Sequence, residues 1–227
     1  MKQAFVLLAL AGLAFSAPQT KKLFHEHFED FLDIIEDEAG HDIDHLAEHY
    51  FEFEEFTATM EYLKTNSFKD LVYEMESLPE FVAVVEFLEK DNIDIHFFID
   101  LFNDMLGKFD LLSTHTCLPF NFLLENGPGS LKKGARHTLS GTNFSAFIKD
   151  VISEFPKAKL AALFDEKMAN DEEFSTAINN LQSDEWDQVW TNLLASETFQ
   201  KEEATLSANG IEIGALLAEL VAVFGQL

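Results

Sequence analysis

The stretch NGIEIGALLAELVAVFG, residues Asn209 to Gly225, has an echo earlier in the chain, DNIDIHFFIDLFNDMLG, residues Asp91 to Gly107. Both begin with a turn-forming pair, continue with Ile-acid-Ile and a nearly unbroken apolar helix, and end at glycine. The apolar residues cover roughly 160° of the later helix and roughly 200° of the earlier one, whereas a surface helix usually has a stripe a little over 100° wide. Each copy is therefore expected to contact apolar material on most of its sides.

The two stretches belong to a longer repeat. Shifting the chain by 118 residues (for example 174 − 56) aligns its halves without a gap from Glu54 to Gly107. Matched positions are mainly apolar residues and turns: Phe56 and Phe174, Leu63 and Leu181, Phe68 and Trp186, Phe81 and Phe199, Leu88 and Leu206, Ile93 and Ile211, Ile95 and Ile213. Upstream, with a shift of 116, Phe28 and Phe31 match Phe144 and Phe147. An old duplication that kept its packing leaves this pattern.

The pattern predicts an all-α fold, because sustained alternation rich in Val, Ile and Thr is almost absent. We predict about twelve short helices in two tandem six-helix repeats, which form a single domain over residues 17–227. Repeat one covers about 20–110, a linker covers 111–142, and repeat two covers 143–227. The predicted helices lie near 21–37, 42–51, 54–64, 67–77, 80–90, 94–107, 143–154, 157–168, 171–181, 184–195, 197–207 and 211–225.

Residues 1–16 have the pattern of a secretory signal peptide. Lys2 is followed by an apolar stretch and by small residues, and we expect cleavage after Ser16. We therefore expect an exported protein. The single cysteine, Cys117, can form no internal disulfide, and it is either a small buried apolar residue or a link to another chain.

The composition excludes one class of partner and raises a question about the interior. With 41 acidic and 15 basic residues the net charge is −26, which disfavours nucleic acids, because their binding depends on Lys and Arg. The 24 phenylalanines supply a large purely apolar surface. Periodicity alone leaves two interpretations open: a solid helical core, or helices that enclose a hollow apolar interior for a lipid.

The segment FPKAKLAALFDEKMANDEEFSTAINNLQSDEWDQVW, residues 155–190, together with the closing IEIGALLAELVAVFG, resembles the insect allergen-related repeat family. The resemblance covers both repeats and is weaker over residues 37–53, which are acidic and rich in histidine. It implies that the repeats form a hollow shell around a large apolar cavity that holds fatty acyl chains or phospholipids. A diverged branch of the family redirects glucosinolate breakdown to nitriles.

The resemblance also implies a function and a set of contacts. The expected protein is a non-enzymatic lipid binder of the gut lumen or microvillar surface, without a cofactor, monomeric, and in transient contact with membranes for lipid exchange. Membrane lysis is a further expectation. The residues expected to line the cavity are apolar positions of both repeats: Phe56, Met60, Leu63, Phe68, Leu71, Met75, Phe81, Val85, Leu88, Ile95, Phe98, Phe102, Met105, Leu163, Phe164, Phe174, Ile178, Leu181, Trp186, Val189, Leu193, Phe199, Ile213, Leu217, Leu220 and Phe224.

Two short motifs give alternatives. His45-Leu-Ala-Glu-His49 fits a zinc-peptidase pattern, in which His41, His45 and His49 would bind Zn²⁺ and Glu48 would act as the base; a solvated helical face is the other interpretation. Asn143-Phe-Ser is a glycosylation sequon at a predicted helix start, where Asn143 could instead be the cap. The alternative functions are thus a solid-core structural or interaction protein and a zinc metallohydrolase.

Overall fold

The computed structural model describes residues 22–109 and 139–215. These residues fold into helices and contain no strand, which confirms the predicted all-α class. The helices are α1 Phe24–Tyr50, α2 Glu54–Leu63, α3 Asn66–Glu76, α4 Pro79–Lys90, α5 Ile95–Phe109, α6 Phe144–Glu154, α7 Lys157–Asn170, α8 Glu172–Asn180, α9 Asp184–Ala195 and α10 Glu197–Ala208. Residues 213–215 start another helical segment. The predicted signal peptide, Cys117 and nearly all of the predicted linker lie outside the described residues.

The prediction of separate helices near 21–37 and 42–51 is wrong, because the structure has the single helix α1. Gly40 lies inside this helix, where glycine costs about 1 kcal/mol relative to alanine. Ala39 and Ile43, on either side of Gly40, are buried, and their burial favours a continuous helix. In the second half Pro156 separates α6 from α7, because proline has no N–H to continue the helical ladder.

Local capping explains several of the remaining boundaries. Thr65 and Ser183 lie 118 residues apart, and each accepts a hydrogen bond at 3.2 Å from the backbone N–H three residues later. Thr65 and Ser183 are therefore the N-caps of α3 and α9. Pro79 occupies the first turn of α4, where its missing N–H does no harm.

The offset found in the sequence also relates the helices. Adding 118 to the bounds of α2, α3 and α4 gives 172–181, 184–194 and 197–208, which match α8, α9 and α10 to within one residue. The N–H of Ile93 donates to the carbonyl of Leu88 at 3.0 Å, and that of Ile211 donates to the carbonyl of Leu206 at 2.9 Å. α4 and α10 therefore end in the same left-handed turn.

The halves pack on each other in a reciprocal way. α3 corresponds to α9 and α4 to α10, and the observed pairs between the halves are α3 with α10 and α4 with α9. α1 packs on α6 and α7, the two helices that correspond to it. Such pairing is what an approximate two-fold axis produces.

Four clusters of buried apolar residues lie between the described helices instead of one central core. They join α1, α2 and α6; α3, α5 and α10; α1, α7 and α8; and α4, α9 and α10. The first and third clusters use corresponding helices of the two halves. This distributed packing is the setting of the candidate site.

Candidate functional site

A pocket of about 440 Å³ lies between α1 and α5. Its volume falls in the range of roughly 300–1,000 Å³ that is typical of small-molecule sites. The described side chains around it are mainly apolar and aromatic, with acidic residues on α1. The lining consists of His25, Phe28, Glu29, Leu32, Asp33, Ile35, Glu36, Gly40, Ile43, Phe97, Phe98 and Leu101.

One wall of the pocket is aromatic. The rings of His25 and Phe97 stack with 4.0 Å between centroids, and Phe28 meets Phe98 edge to face at 5.4 Å. Phe28 is 40% exposed and Phe97 is 39% exposed. These rings thus leave apolar surface open at the pocket instead of burying all of it in the core.

The polar part of the lining is acidic. Glu29, Asp33 and Glu36 are exposed on α1, at spacings that place them on one side of a helix. His25 is tied to Asp94: its backbone N–H donates to Oδ1 at 3.0 Å, and its ring Nδ1 contacts Oδ2. No lysine or arginine occurs among the described lining residues.

The sequence comparison supports the resemblance seen in the repeats. A model of the insect allergen related repeat family, described also by the words nitrile-specifier detoxification, matches residues 23–217. The match includes both halves of the chain. The protein belongs to the insect allergen related repeat family. A search of curated proteins finds no significant match.

Most of the residues predicted to contact lipid in this family member lie in the packing clusters. Phe98 is the one described member of the predicted set that borders the pocket. Those that the structure buries are Phe56, Met60, Phe68, Leu71, Val85, Phe174, Leu193 and Phe199. Those partly buried against a cluster are Leu63, Met75, Phe81, Leu88, Leu163, Phe164, Ile178, Trp186, Val189 and Ile213.

The rest of the predicted set has other surroundings. Ile95 and Leu181 are partly buried, and Phe102 is 40% exposed on α5. The side chain of Met105 and the residues Leu217, Leu220 and Phe224 lie outside the described part of the chain. The structure therefore brings the predicted residues together mainly as contacts between helices, with Phe98 at the pocket.

Sequence reasoning missed the contribution of α1 to the pocket. Phe28, Leu32 and Ile35 follow the spacing i, i+4, i+7, which places them on one face of a helix. This spacing is visible in the sequence, but the predicted set of lipid contacts contained no residue before Phe56.

A second polar arrangement joins the halves below the surface. Lys167 of α7 is 7% exposed, and its Nζ donates to Asp30 Oδ2 at 2.5 Å and to His27 Nδ1 at 3.0 Å. This bond requires the neutral His27 tautomer with its proton on Nε2, which lies 3.3 Å from Asp171 Oδ2. Lys22 also contacts Asp30, at 2.7 Å.

Burial and charge shift the pKa values in this cluster. Burial, followed by the nearby charge of Lys167, lowers the pKa of His27. Burial alone would raise the pKa of Asp30, but the hydrogen bonds from Lys167 and Lys22 outweigh it, so the pKa of Asp30 is lowered. The cluster is therefore held in one charge pattern, with His27 neutral and Asp30 ionised.

The histidine-rich part of α1 does not assemble the alternative zinc site within the described residues. The rings of His45 and His49 lie 4.7 Å apart, and His41 is exposed. Across residues 22–109 and 139–215, no three His, Cys, Asp or Glu side chains are grouped so as to hold a metal ion.

Asn143 acts as a helix cap. Its Oδ1 accepts a hydrogen bond from the N–H of Ala146 at 2.9 Å, at the start of α6. The side chain is exposed, and glycosylation through its Nδ2 stays a prediction. Among the described helices, none combines the length and apolar character needed to cross a bilayer.

Proposed function

We propose that this family member binds lipid, with hydrocarbon chains held in apolar space between its helices. The observation that carries the proposal is the pocket between α1 and α5, where aromatic and aliphatic side chains border about 440 Å³. Surface of this kind is costly to leave in water, and its exposure commonly marks a binding site. The protein acts by binding and not by catalysis.

The reciprocal packing of the halves supports a larger enclosed space. Each of the four packing clusters joins three helices and includes helices of both halves. We infer that two matching groups of helices close into a shell around an apolar cavity. The helical segment that begins at Ile213 is the repeat equivalent of α5.

The energetics favour reversible carriage. Burial of hydrocarbon contributes roughly 0.8 kcal/mol per CH₂ group, so a fatty acyl chain has a strong drive to leave water. The gain relative to a bilayer is much smaller, because the bilayer interior is also apolar. The protein would therefore exchange fatty acids or phospholipids with membranes by transient contact, and bulk delivery of fatty acids would perturb those membranes.

The expected setting is outside the cell. Residues 1–16 carry the pattern of a cleaved leader, and the family resemblance points to the gut lumen or the microvillar surface. Secretion is tested separately, by expression of the full chain in insect cells and N-terminal sequencing of protein from the medium. An intact N-terminus or retention in the cell would contradict it.

Lipid binding is tested by organic extraction of the purified mature protein followed by lipid mass spectrometry. The result expected is acyl lipid in molar amounts comparable to the protein. The stripped protein should then take up a neutral fluorescent apolar probe. A protein that yields no lipid and binds no apolar probe would have a solid core, and the proposal would be overturned.

A pair of variants connects binding to the pocket. Gly40 lines it, and Gly40→Leu should fill part of the volume and weaken probe binding. Ala162→Leu adds a similar side chain on an exposed position of α7 and serves as the control. Equal binding by both variants would remove this pocket from the binding site.

A further inference from the structure

We propose that the pocket between α1 and α5 receives an amphiphile with an ammonium head, in preference to one with a carboxylate head. This inference rests on the proposed lipid binding and specifies the ligand class of the described pocket. It combines two independent features of the lining: open aromatic surface and carboxylates that lack a cationic partner among the described residues.

The aromatic wall suits a positively charged head group. Phe28, Phe97 and Phe98 form a chain of edge-to-face contacts, at 5.4 Å and 5.5 Å between centroids. Two of these rings keep about 40% of their surface exposed. The face of an aromatic ring attracts alkylammonium groups through its quadrupole, and such groups are commonly bound among several rings.

The carboxylates of the lining also attract a positively charged head group. Glu29, Asp33 and Glu36 make no hydrogen bond or ion pair with a cation in the described part of the chain. The pKa of Lys22 is raised, mainly because its ammonium donates hydrogen bonds to Asp30, and the charge of Glu29 makes a smaller contribution. The Lys22 ammonium is held by both oxygens of Asp30, at 2.7 Å and 2.9 Å, and it does not belong to the lining.

A carboxylate head would meet the opposite conditions. At the edge of α1 it would approach three like charges, and the described lining offers no lysine or arginine to pair with it. The imidazole of His25 is already engaged by Asp94. The net charge of −26 adds a long-range repulsion of anions.

The aliphatic part of the lining accommodates the tail. Leu32, Ile35 and Ile43 on α1 and Leu101 on α5 line the pocket, and Ile43 is almost fully buried. The acids and the rings of Phe28 and Phe97 are more exposed than these aliphatic residues. A ligand would thus place its hydrocarbon against the aliphatic residues and its head beside the carboxylates.

The test compares three ligands that share a dodecyl chain: dodecyltrimethylammonium, dodecanol and dodecanoate. Each displaces a neutral naphthylamine probe from the stripped protein, below its micelle concentration. We expect the ammonium ligand to bind on the order of tenfold more tightly than dodecanoate at low salt. The ratio should shrink at high salt, because exposed charges are screened.

Charge variants separate the pocket from the overall charge. The triple variant Glu29→Gln, Asp33→Asn and Glu36→Gln should lose most of the preference and keep dodecanol binding. The control, Glu166→Gln, Asp187→Asn and Glu197→Gln, removes three exposed acids from other helices and should keep the preference. Loss of the preference in the control would show an effect of net charge alone and would overturn the inference.

An aromatic variant provides an independent measurement. Phe28→Leu with Phe97→Leu keeps apolar surface and removes the ring faces, so ammonium binding should weaken by more than dodecanol binding. Equal or tighter binding of dodecanoate by the unaltered protein would overturn the inference and leave lipid binding intact. Failure of all three ligands to bind would overturn both proposals.

Discussion

The ring of Phe56 in the first half lies against that of Phe147 in the second, with 5.1 Å between centroids. Phe174, the equivalent of Phe56, lies against Phe31, the equivalent of Phe147, with 6.5 Å between ring centroids. In this second pair the contributions of the two halves are exchanged. Each half therefore contributes one phenylalanine from a short helix and one from a longer helix to the other half. This exchange makes the packing of either half depend on the presence of the other.

The first prediction concerns this exchange. Phe56 is 0% exposed and Phe174 is 4% exposed, so Phe56→Ala and Phe174→Ala should each lower the free energy of unfolding by about 3–5 kcal/mol. Urea unfolding followed by circular dichroism measures both. Leu194→Ala, at an exposed position of α9, is the control and should cost less than about 1 kcal/mol. A small effect at Phe174 alone would contradict the reciprocal packing.

The second prediction concerns Tyr50, which is fully buried. Its hydroxyl donates to Asp150 Oδ2 at 2.6 Å, and the N–H of Ser140 donates to the same oxygen at 2.9 Å. Tyr50→Phe should lower the free energy of unfolding by about 2 kcal/mol, because a hydrogen bond to a carboxylate is lost between the halves. Asp150→Asn combined with Tyr50→Phe should cost less than the sum of the single changes.

The same residue gives a pH dependence. Burial, followed by Asp150, raises the pKa of Tyr50 above its ordinary value of 10.0. A raised native pKa means a contribution to stability that is present below pH 10.0 and is lost as the pH rises above it. The difference between the unaltered protein and Tyr50→Phe should therefore shrink in alkaline solution, and a constant difference would argue against the Tyr50–Asp150 bond.

The third prediction concerns the repeated turn. Asn92 and Gly210 are 118 residues apart, and both have positive φ, 59° and 86°. A Cβ at Gly210 would collide with the hydroxyl of Thr59, and alanine in the left-handed region costs roughly 1–2 kcal/mol in addition. Gly210→Ala should thus destabilise more than Asn92→Ala, as measured by thermal unfolding. Asn92→Gly should be neutral or slightly stabilising, and a clear loss there would contradict the turn geometry.

The sequence predicted those features of the fold that depend on local interactions. The helical class and most helix boundaries depend on residues within one or two turns, and these were predicted well. The alignment of Leu88 with Leu206 is matched by the same hydrogen-bonded turn in both halves. The continuity of α1 through Gly40 depends on burial against other helices, and the propensity of one residue could not show it.

The candidate site was less predictable for a related reason. An apolar residue reads the same in sequence whether it packs against a helix or borders a pocket, so Phe98 and Phe56 could not be distinguished. Nothing in the local sequence distinguishes Lys167 from a surface lysine on a helix. Its burial arises because Asp30 and His27, some 140 residues earlier, meet it across the halves, and no local pattern encodes such a contact.

The fourth prediction follows from the cluster around Lys167. Burial and Lys167 lower the pKa of His27 below its ordinary value of 6.5, so the unfolded chain binds a proton more readily than the native protein. The free energy of unfolding should therefore fall as the pH drops below 6.5. Asp30, whose pKa is also lowered, adds a loss of the same sign near and below its ordinary value of 3.8.

The variant His27→Gln isolates this effect. Glutamine can accept from Lys167 and donate to Asp171 but does not titrate. The difference in stability between the unaltered protein and His27→Gln, measured by urea unfolding at a series of pH values, should change in favour of the variant between pH 6.5 and pH 5. A difference that is independent of pH would show that His27 titrates alike in the folded and unfolded chain.

The fifth prediction concerns removal of the proposed lipid. An empty apolar space lacks dispersion contacts on its inner side, and a ligand that binds only the folded protein stabilises it by mass action. The lipid-loaded protein should therefore have a higher Tm than the stripped protein, and dodecanol should restore part of the loss. Gly40→Leu should show a smaller shift on addition of dodecanol than Ala162→Leu, because its side chain occupies the pocket. Equal Tm values before and after stripping would mean that the helices are held by their four packing clusters alone.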